Sequence, residues 1–333
     1  MNLINRTLSV APMMDWTDRH CRFLHRTISK EVLLYTEMVT APALIHGDAD
    51  RLLEFNDLEH PIALQLGGSC PSQLSQATRM GCDAGYDEIN INIGCPSDRV
   101  QSGRFGACLM KEPDLVAECV SAMIDASTGA EITVKCRIGV DDQEPHEMLP
   151  GFIEKVSSCG ITSFTVHARK AWLSGLSPKQ NRDIPPLDYE LVHKIKKDRP
   201  DLEIILNGGL QTFSDAVKQI NRGLDGVMIG RVAYHNPMEI LAQADSLFGS
   251  ETQPKTVSSI IHEMLPYIQN HLDTGGRLNQ ITRHMLGLFA GQIGARIWKR
   301  TLSEEAHIKG AGIEVIQHSL NNTLELQRAA QEG

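Results

Sequence analysis

Residues 203–231, EIILNGGLQTFSDAVKQINRGLDGVMIGR, contain one complete strand–helix–strand unit. Two short apolar runs, 203–206 and 226–229, flank a segment with helical periodicity that begins after Thr212. A strand that is apolar on both faces is typical of a parallel sheet, because helices then cover the sheet on either side. This stretch therefore predicts a parallel α/β fold.

The same alternation of short β-rich runs and amphipathic segments extends over the first 250 residues. The predicted strands are Leu8–Met13, Val32–Met38, Ile62–Leu66, Glu88–Ile93, Ile132–Arg137, Ser163–His167, Glu203–Leu206 and Gly226–Ile229. Helical periodicity is clearest at Leu74–Ala84, Pro113–Ala126, Leu187–Lys197 and Phe213–Arg222. Eight such units fit a (β/α)₈ TIM barrel. An open doubly wound sheet is the alternative, but the turn APMMDWTD at 11–18 lacks the GxGxxG pattern that is typical of it.

The character of the sequence changes after residue 248. The polar segment FGSETQP at 248–254 is followed by helical patterns without a convincing strand. We therefore predict a barrel domain over residues 1–248 and an all-helical domain over residues 255–333. The predicted helices of the second domain are Val257–Leu272, Leu278–Phe289, Gly291–Leu302 and Ile313–Glu332.

The composition is typical of a soluble globular protein, with 41% hydrophobic and 22% charged residues. No apolar run reaches the roughly 20 residues that a membrane-spanning helix needs, and MNLINRTLSV lacks the pattern of a signal peptide. The eight cysteines are dispersed and form no CxxC pair, which argues against disulfides and against a zinc site. We expect a cytoplasmic protein that binds neither membranes nor a metal.

Polar and basic residues follow nearly every predicted strand, where the active site of a barrel lies. Lys135 and His167 should point into the same mouth. A cation there could stabilise an anionic reduced flavin, and Gln65 offers both a donor and an acceptor to its pyrimidine edge. A capping lysine and a histidine bonded to its own backbone are the alternatives.

The turns after the last two predicted strands suggest a phosphate site. Asn207-Gly208-Gly209 and Gly230-Arg231 would let backbone N–H groups approach a phosphate, and a guanidinium can pair with it. Glycines that only form tight left-handed turns are the alternative interpretation.

Cys95 is the candidate catalytic residue. It lies between Gly94 and Pro96 in a loop after the fourth strand, where a mostly protonated thiol could act as a general acid. A small buried apolar residue is the alternative. Cys136 has a weaker case, because it should alternate with Lys135 and face away from the mouth.

Two basic clusters stand out against a net charge of −9. Residues 194–199, with three lysines and Arg199, are best interpreted as the solvated face of a helix. Arg296, Lys299 and Arg300 fall at near-helical spacing and could form a basic stripe that fits a phosphate backbone, although an ordinary exposed helix face would have the same pattern.

Taken together, these segments resemble the tRNA-dihydrouridine synthases over essentially the whole chain, and the first and last resemble the A-type bacterial branch. The resemblance rests on APMMDWTDRHCR at 11–22, QLGG at 65–68, NINIGCPSDRVQSGRFGACLM at 90–110, VKCRIG at 134–139, VHARKAWLSGLSPKQNR at 166–182, LNGG at 206–209, MIGR at 228–231 and RHMLGLFAGQIGARIWKR at 283–300.

The resemblance implies a flavoenzyme that reduces the carbon 5–6 double bond of uridine in the tRNA D-loop, at positions 20 and 20a, with FMN recharged by NADPH. It implies that Cys95 gives a proton to carbon 5 while hydride reaches carbon 6, and that the protein is a monomer. The implied FMN residues are Pro12, Met13, Met14, Gln65, Lys135, His167, Asn207, Gly208, Gly209, Gly230 and Arg231. The implied tRNA residues are Asn92, Lys179, Arg182, Arg296 and Lys299.

Two other functions are compatible with parts of this pattern. One is an FMN barrel that acts on a free pyrimidine, as dihydroorotate dehydrogenases do, but a small substrate gives no reason for the basic helical extension. The other is a non-catalytic flavoprotein that binds RNA, against which the intact loop of Cys95 argues.

Overall fold

A computed structural model of the chain describes residues 4–97 and 103–332. Its strands are β1 (Leu8–Val10), β2 (Leu34–Thr40), β3 (Ile62–Gly67), β4 (Glu88–Ile93), β5 (Glu131–Arg137), β6 (Ser163–His167), β7 (Glu203–Asn207) and β8 (Gly226–Ile229). They form one parallel sheet in the order β1-β8-β7-β6-β5-β4-β3-β2. The sheet closes because the Val10 N–H donates to the Leu33 carbonyl at 3.0 Å, just before β2. The predicted (β/α)₈ barrel is confirmed.

The helices between the strands and after them cover most of the remaining described chain. They are α1 (Arg19–Ile28), α2 (Ala41–His46), α3 (Ala49–Leu53), α4 (Pro71–Asp83), α5 (Pro113–Ala126), α6 (Pro145–Ser157), α7 (Gln180–Asp183), α8 (Tyr189–Asp198), α9 (Phe213–Asn221), α10 (Arg231–His235), α11 (Pro237–Leu241), α12 (Val257–Asp273), α13 (Leu278–Met285), α14 (Ala295–Glu305) and α15 (Ile313–Glu332). Within residues 4–97 and 103–332, none of them combines the length and apolar character that a bilayer span requires.

Strand β4, EININI, shows how the sequence builds the barrel wall. Its isoleucines are fully buried, and Ile89 packs so close to α4 that a Cβ on Gly81 would lie 2.6 Å from its Cδ1. The side chains between the isoleucines point inward and are polar. Hydrophobic burial on the outer face, about 1.5–3 kcal/mol for each isoleucine, therefore fixes the register that aims Asn90 and Asn92 into the barrel.

The observed elements agree with the predicted ones apart from their ends. Strand β1 stops at Val10 rather than Met13, because the Ala11 N–H makes a last bond to Ile229 and Pro12 has no N–H to continue the ladder. Helix α14 starts at Ala295 rather than Gly291, because Gly291 and Gly294 adopt φ angles of 77° and 87°. All eight cysteines are free, as expected.

By packing, the chain divides into two compact units that differ from the predicted domains. The first comprises residues 1–15 and 33–229, and the second comprises residues 16–32 and 230–333. The predicted boundary at residue 248 thus falls inside the second unit. The reason is that α1 packs against α11, α12 and α13, so the helix after β1 joins the C-terminal helices.

Candidate active site

The carboxyl ends of β4–β7 bring four predicted site residues onto neighbouring strands. Asn92 lies beside Lys135, and His167 lies beside Asn207, in the register of the sheet. The Lys135 ammonium donates to Asn207 Oδ1 at 2.9 Å, while Asn207 Nδ2 donates to the Met228 carbonyl at 2.7 Å. The mouth of the barrel therefore holds an amide whose oxygen is oriented toward a cation.

Electrostatics at this mouth favour a positive, partly dehydrated surface. Burial and the nearby guanidinium of Arg137 lower the pKa of Lys135 to about 8. Burial, together with the charges of Arg137 and Lys135, holds the pKa of His167 well below its usual value. At neutral pH the mouth thus presents a mostly charged lysine and a neutral histidine that can both donate and accept.

Arg137 is a residue of the site that we did not predict from the sequence. It is almost fully buried, and its side chain donates to three backbone carbonyls, those of Gly94, Lys170 and Asn181, at 2.9–3.0 Å. Burial lowers its pKa to about 10. The guanidinium therefore fixes the loop of Cys95 to the loop after β6. Its place at the end of β5, two residues after Lys135, could have predicted an inward side chain.

The loop of Cys95 is anchored by backbone hydrogen bonds. The side-chain oxygen of Asn92 accepts the N–H groups of both Gly94 and Cys95 at 2.9 Å, and the Cys95 carbonyl accepts the Ala107 N–H at 2.9 Å. The partly exposed thiol lies 3.5 Å from Ser97 Oγ. Residues 98–102 of this loop lie outside the described residues. The thiol of this anchored loop can present its proton to a group bound at the mouth.

Cys136 contrasts with Cys95. It is fully buried, and burial raises its pKa to about 12. Lys135 and Arg137 on either side of it make the inward contacts of β5. The prediction that Cys136 faces away from the mouth agrees with this alternation.

The turn after β7 requires glycine. Gly208 and Gly209 have φ angles of 108° and 76°, and a Cβ on Gly208 would lie 2.4 Å from the His167 ring. The Tyr189 hydroxyl donates to the Gly208 carbonyl at 2.7 Å. Both earlier interpretations, a tight left-handed turn and a bare backbone for a phosphate, fit this geometry.

The remaining predicted cofactor residues flank other strand ends. After β1, Pro12 and Met13 are partly buried and Met14 is 52% exposed. Gly230 and Arg231 follow β8 in the chain and begin the second unit, where Arg231 is the first residue of α10.

Two predicted tRNA residues of the first unit lie at α7, in the connection that follows β6. Lys179 and Arg182 are exposed, whereas Asn181 between them is fully buried. The Asn181 amide bonds to both the N–H and the carbonyl of Trp172, at 2.7 and 2.8 Å. Trp172 is 37% exposed, and the Lys170 ammonium lies 5.3 Å from its ring. Trp172 was also not predicted from the sequence. It adds an aromatic stacking surface to a segment that carries Lys170, Lys179 and Arg182.

The basic cluster on α14 and the one at residues 194–199 differ in the ion pairs that they form. In α14, Arg296, Lys299 and Arg300 are exposed, while Trp298 on the other face is fully buried and donates to the Met285 carbonyl at 2.9 Å. At residues 194–199, Lys194, Lys196 and Arg199 are instead paired with acidic side chains, namely Asp198, Asp225, Asp201 and Glu154. The solvated helix face predicted for the first cluster agrees with these ion pairs.

Solved structures share the barrel. An old yellow enzyme homologue from Zymomonas mobilis has a TM-score of 0.52 at 14% identity, covering 76% of this chain and 91% of that chain. Morphinone reductase also has a TM-score of 0.52, at 13% identity, covering 77% and 88% of the two chains. At these identities the likeness concerns the fold.

Sequence comparison gives a more specific result. Three proteins named tRNA-dihydrouridine(20/20a) synthase are similar to 94% of this chain: from Vibrio cholerae (57% identical, 95% of its length), Shewanella oneidensis (55%, 93%) and Escherichia coli (53%, 90%). The family model described as Dihydrouridine synthase matches residues 9–324. The chain therefore belongs to the dihydrouridine synthase family.

Proposed function

We propose that the protein is a flavin-dependent oxidoreductase that reduces the carbon 5–6 double bond of uridine in the D-loop of tRNA. The names of its relatives support uridines 20 and 20a as the targets. The observation that carries the proposal is Cys95 after the end of β4, where its backbone N–H donates to Asn92, the neighbour of Lys135 in the sheet.

The groups at this mouth fit FMN. Gly208 and Gly209 leave the backbone bare where a phosphate could approach, and substitution with any larger residue would collide with His167 or Tyr189. Lys135 supplies a cation, and Gln65 and Asn207 supply amides for the polar edge of the ring. When bound, FMN would supply a hydride. The family resemblance assigns Pro12, Met13, Met14, Gly230 and Arg231 to the same cofactor, and these assignments stay predictions.

The protein itself supplies the proton for this reduction. Cys95 donates its S–H proton to carbon 5 of uridine as a hydride is added at carbon 6, so the double bond is lost and two hydrogen atoms are gained. Solvent then reprotonates the thiolate. Because the target base is stacked in RNA, it must leave the stack to reach this mouth, and we assign Asn92 to the contact with the flipped base.

The substrate surface extends beyond the mouth. Lys179 and Arg182 are exposed beside Trp172 in the loop that Asn181 holds, and such a mixture of cations and an aromatic ring suits single-stranded RNA. Arg296 and Lys299 on α14 give a second set of phosphate contacts. We further propose NADPH as the electron donor, a cytoplasmic location and a monomeric state without a metal.

The test begins with the purified protein and its flavin absorbance. It is then incubated with NADPH or NADH and either unmodified tRNA or a free pyrimidine. Dihydrouridine in tRNA alone supports the proposal, whereas product from the free base supports a small-molecule enzyme. A flavoprotein that binds tRNA but gives no product with either substrate would be the non-catalytic alternative.

Substitution tests the proton donor. Cys95→Ala should keep the flavin spectrum and lose turnover with tRNA by about 100-fold or more, because a general acid contributes on that scale. The matched control is Cys159→Ala, which removes another partly exposed thiol at the end of α6 and should leave turnover unchanged. Wild-type turnover in Cys95→Ala would remove Cys95 from the mechanism.

A further inference from the structure

Polar side chains form a continuous hydrogen-bonded row inside the barrel. The hydroxyl of Thr133 donates to Glu88 at 2.5 Å, and the amide nitrogen of Asn90 donates to Thr133 at 2.8 Å. The amide nitrogen of Gln65 donates to Asn90 at 2.8 Å, and that of Asn92 donates to Gln65 at 2.9 Å. None of these side chains is more than 9% exposed. We call four of them the polar row: Thr133, Asn90, Gln65 and Asn92.

The two ends of the polar row fix the direction of every bond in it. Glu88 pairs with Arg6 at 2.8 Å, and a carboxylate can only accept hydrogen bonds. At the other end, the backbone N–H groups of Gly94 and Cys95 can only donate, and both donate to Asn92 Oδ1. Between an acceptor-only end and a donor-only end, each amide has one orientation in which no hydrogen bond is lost. The row therefore keeps the oxygen of Asn92 turned toward Cys95.

We propose that the polar row positions the thiol of Cys95, so that Thr133 and Asn90 act as positioning residues for proton transfer. The inference rests on the proposed function, in which Cys95 is the proton donor. A proton donor must lie within about 2.6–3.2 Å of its acceptor, and a shift of about 1 Å can cost orders of magnitude in rate. By holding the backbone N–H of Cys95, Asn92 helps to set the distance between the thiol and the base that accepts its proton.

The same row explains why residues remote from the mouth should matter. Without the Thr133 hydroxyl, the Asn90 N–H has no acceptor in a buried interior, and the amides above it are held in their orientation from one end only. An Asn92 amide that turns would face the Cys95 N–H with its own NH₂ group. The loop would then lose two hydrogen bonds, and the thiol would no longer be held.

The test is Thr133→Val, which removes the hydroxyl and keeps the shape, compared with Thr133→Ser, which keeps the hydroxyl. In the valine variant, oxidation of the bound flavin by tRNA should slow about tenfold, on the scale of one unsatisfied buried group. The flavin should stay bound and reducible by NADPH, with at most a small shift of its spectrum, because Gln65 in the polar row also faces the polar edge of the ring. In the cofactor-free protein, iodoacetamide should alkylate Cys95 several-fold faster, with Cys70 in the same digest as reference. In Thr133→Ser, the rates of flavin oxidation by tRNA and of Cys95 alkylation should both equal those of the wild type.

The matched control is Thr78→Val. Thr78 is also a fully buried threonine, and within the described residues its hydroxyl has no hydrogen-bond partner, so both rates should stay at wild-type values. If Thr133→Val does not fold, Thr133→Ala removes the same hydroxyl without adding a methyl group. Wild-type rates of flavin oxidation by tRNA and of Cys95 alkylation in either folded variant would overturn the inference while Cys95→Ala remains inactive. An active Cys95→Ala would instead overturn the proposed function.

Discussion

The ammonium group of Lys135 lies at the mouth and can change its charge close to neutral pH. It donates to Asn207 at 2.9 Å, and burial together with Arg137 lowers its pKa to about 8. A lysine is charged below its pKa and neutral above it. The cation available to a reduced flavin is therefore lost as the pH rises through this value.

We predict that turnover with tRNA falls as the pH rises through about 8, where Lys135 loses its proton. In Lys135→Arg the guanidinium stays charged, so the alkaline fall should move to about pH 10 or above. The measurement is kcat across the alkaline range for both proteins. Lys111→Arg, which changes a more exposed lysine paired with Asp141, is the control and should keep the wild-type profile. An unchanged fall in Lys135→Arg would assign it to another group.

At the residue scale, the sequence predicts groups at strand ends and misses groups inside the strands. Lys135, His167 and Asn207 could be predicted because every parallel strand of a barrel ends at the same face. Thr133 and Asn90 could not, because their partners lie on other strands and no local pattern records which side chains will meet.

Helix α14 combines one buried anchor with an exposed basic face. Trp298 is fully buried, while Arg296, Lys299 and Arg300 are exposed at helical spacing. Burial of the indole fixes the rotation of the helix about its axis, so the three cations must share the opposite side. This face suits contacts with successive phosphates rather than with bases.

We predict that Arg296→Gln combined with Lys299→Gln weakens tRNA binding by about tenfold at moderate salt and lowers the salt slope of log Kd by about 2. The kcat at saturating tRNA should stay unchanged, because these residues act in binding. The control is Lys194→Gln combined with Lys197→Gln on α8, which removes two exposed lysines from the cluster at residues 194–199, where Lys194 is paired with Asp198. Equal losses in both double variants would indicate a general charge effect instead of a phosphate site on α14.

At the element scale, periodicity predicts the helices and strands well and their grouping less well. Helix α15 has its predicted bounds, because its apolar positions recur at helical spacing throughout. The grouping of α1 with α11, α12 and α13 depends on long-range packing. A sequence read from one end to the other suggests contiguous domains, so the return of residues 16–32 to the second unit could not be predicted.

At the end of the barrel opposite to Cys95, the guanidinium of Arg6 connects three strands through ion pairs. Arg6, only 3% exposed, pairs with Glu88 on β4 at 2.8 Å, Glu131 on β5 at 2.7 Å and Glu203 on β7 at 2.9 Å. Three strands that are distant in sequence thus depend on one residue just before β1. The carboxylates would repel one another if the cation were absent.

We predict that Arg6→Met lowers the free energy of unfolding by about 3–5 kcal/mol, because the methionine keeps the packing and leaves Glu88 as an uncompensated buried charge. Urea unfolding followed by circular dichroism measures the loss. Arg51→Met removes an exposed arginine from the surface of α3 and should change stability by no more than about 0.5 kcal/mol. Adding Glu88→Gln to Arg6→Met should recover part of the loss, because it removes the buried charge that the missing guanidinium had balanced. If Arg6→Met were as stable as Arg51→Met, solvent would have to reach Glu88 as it already reaches Glu131 and Glu203, and the ion cluster would contribute nothing to closing the barrel.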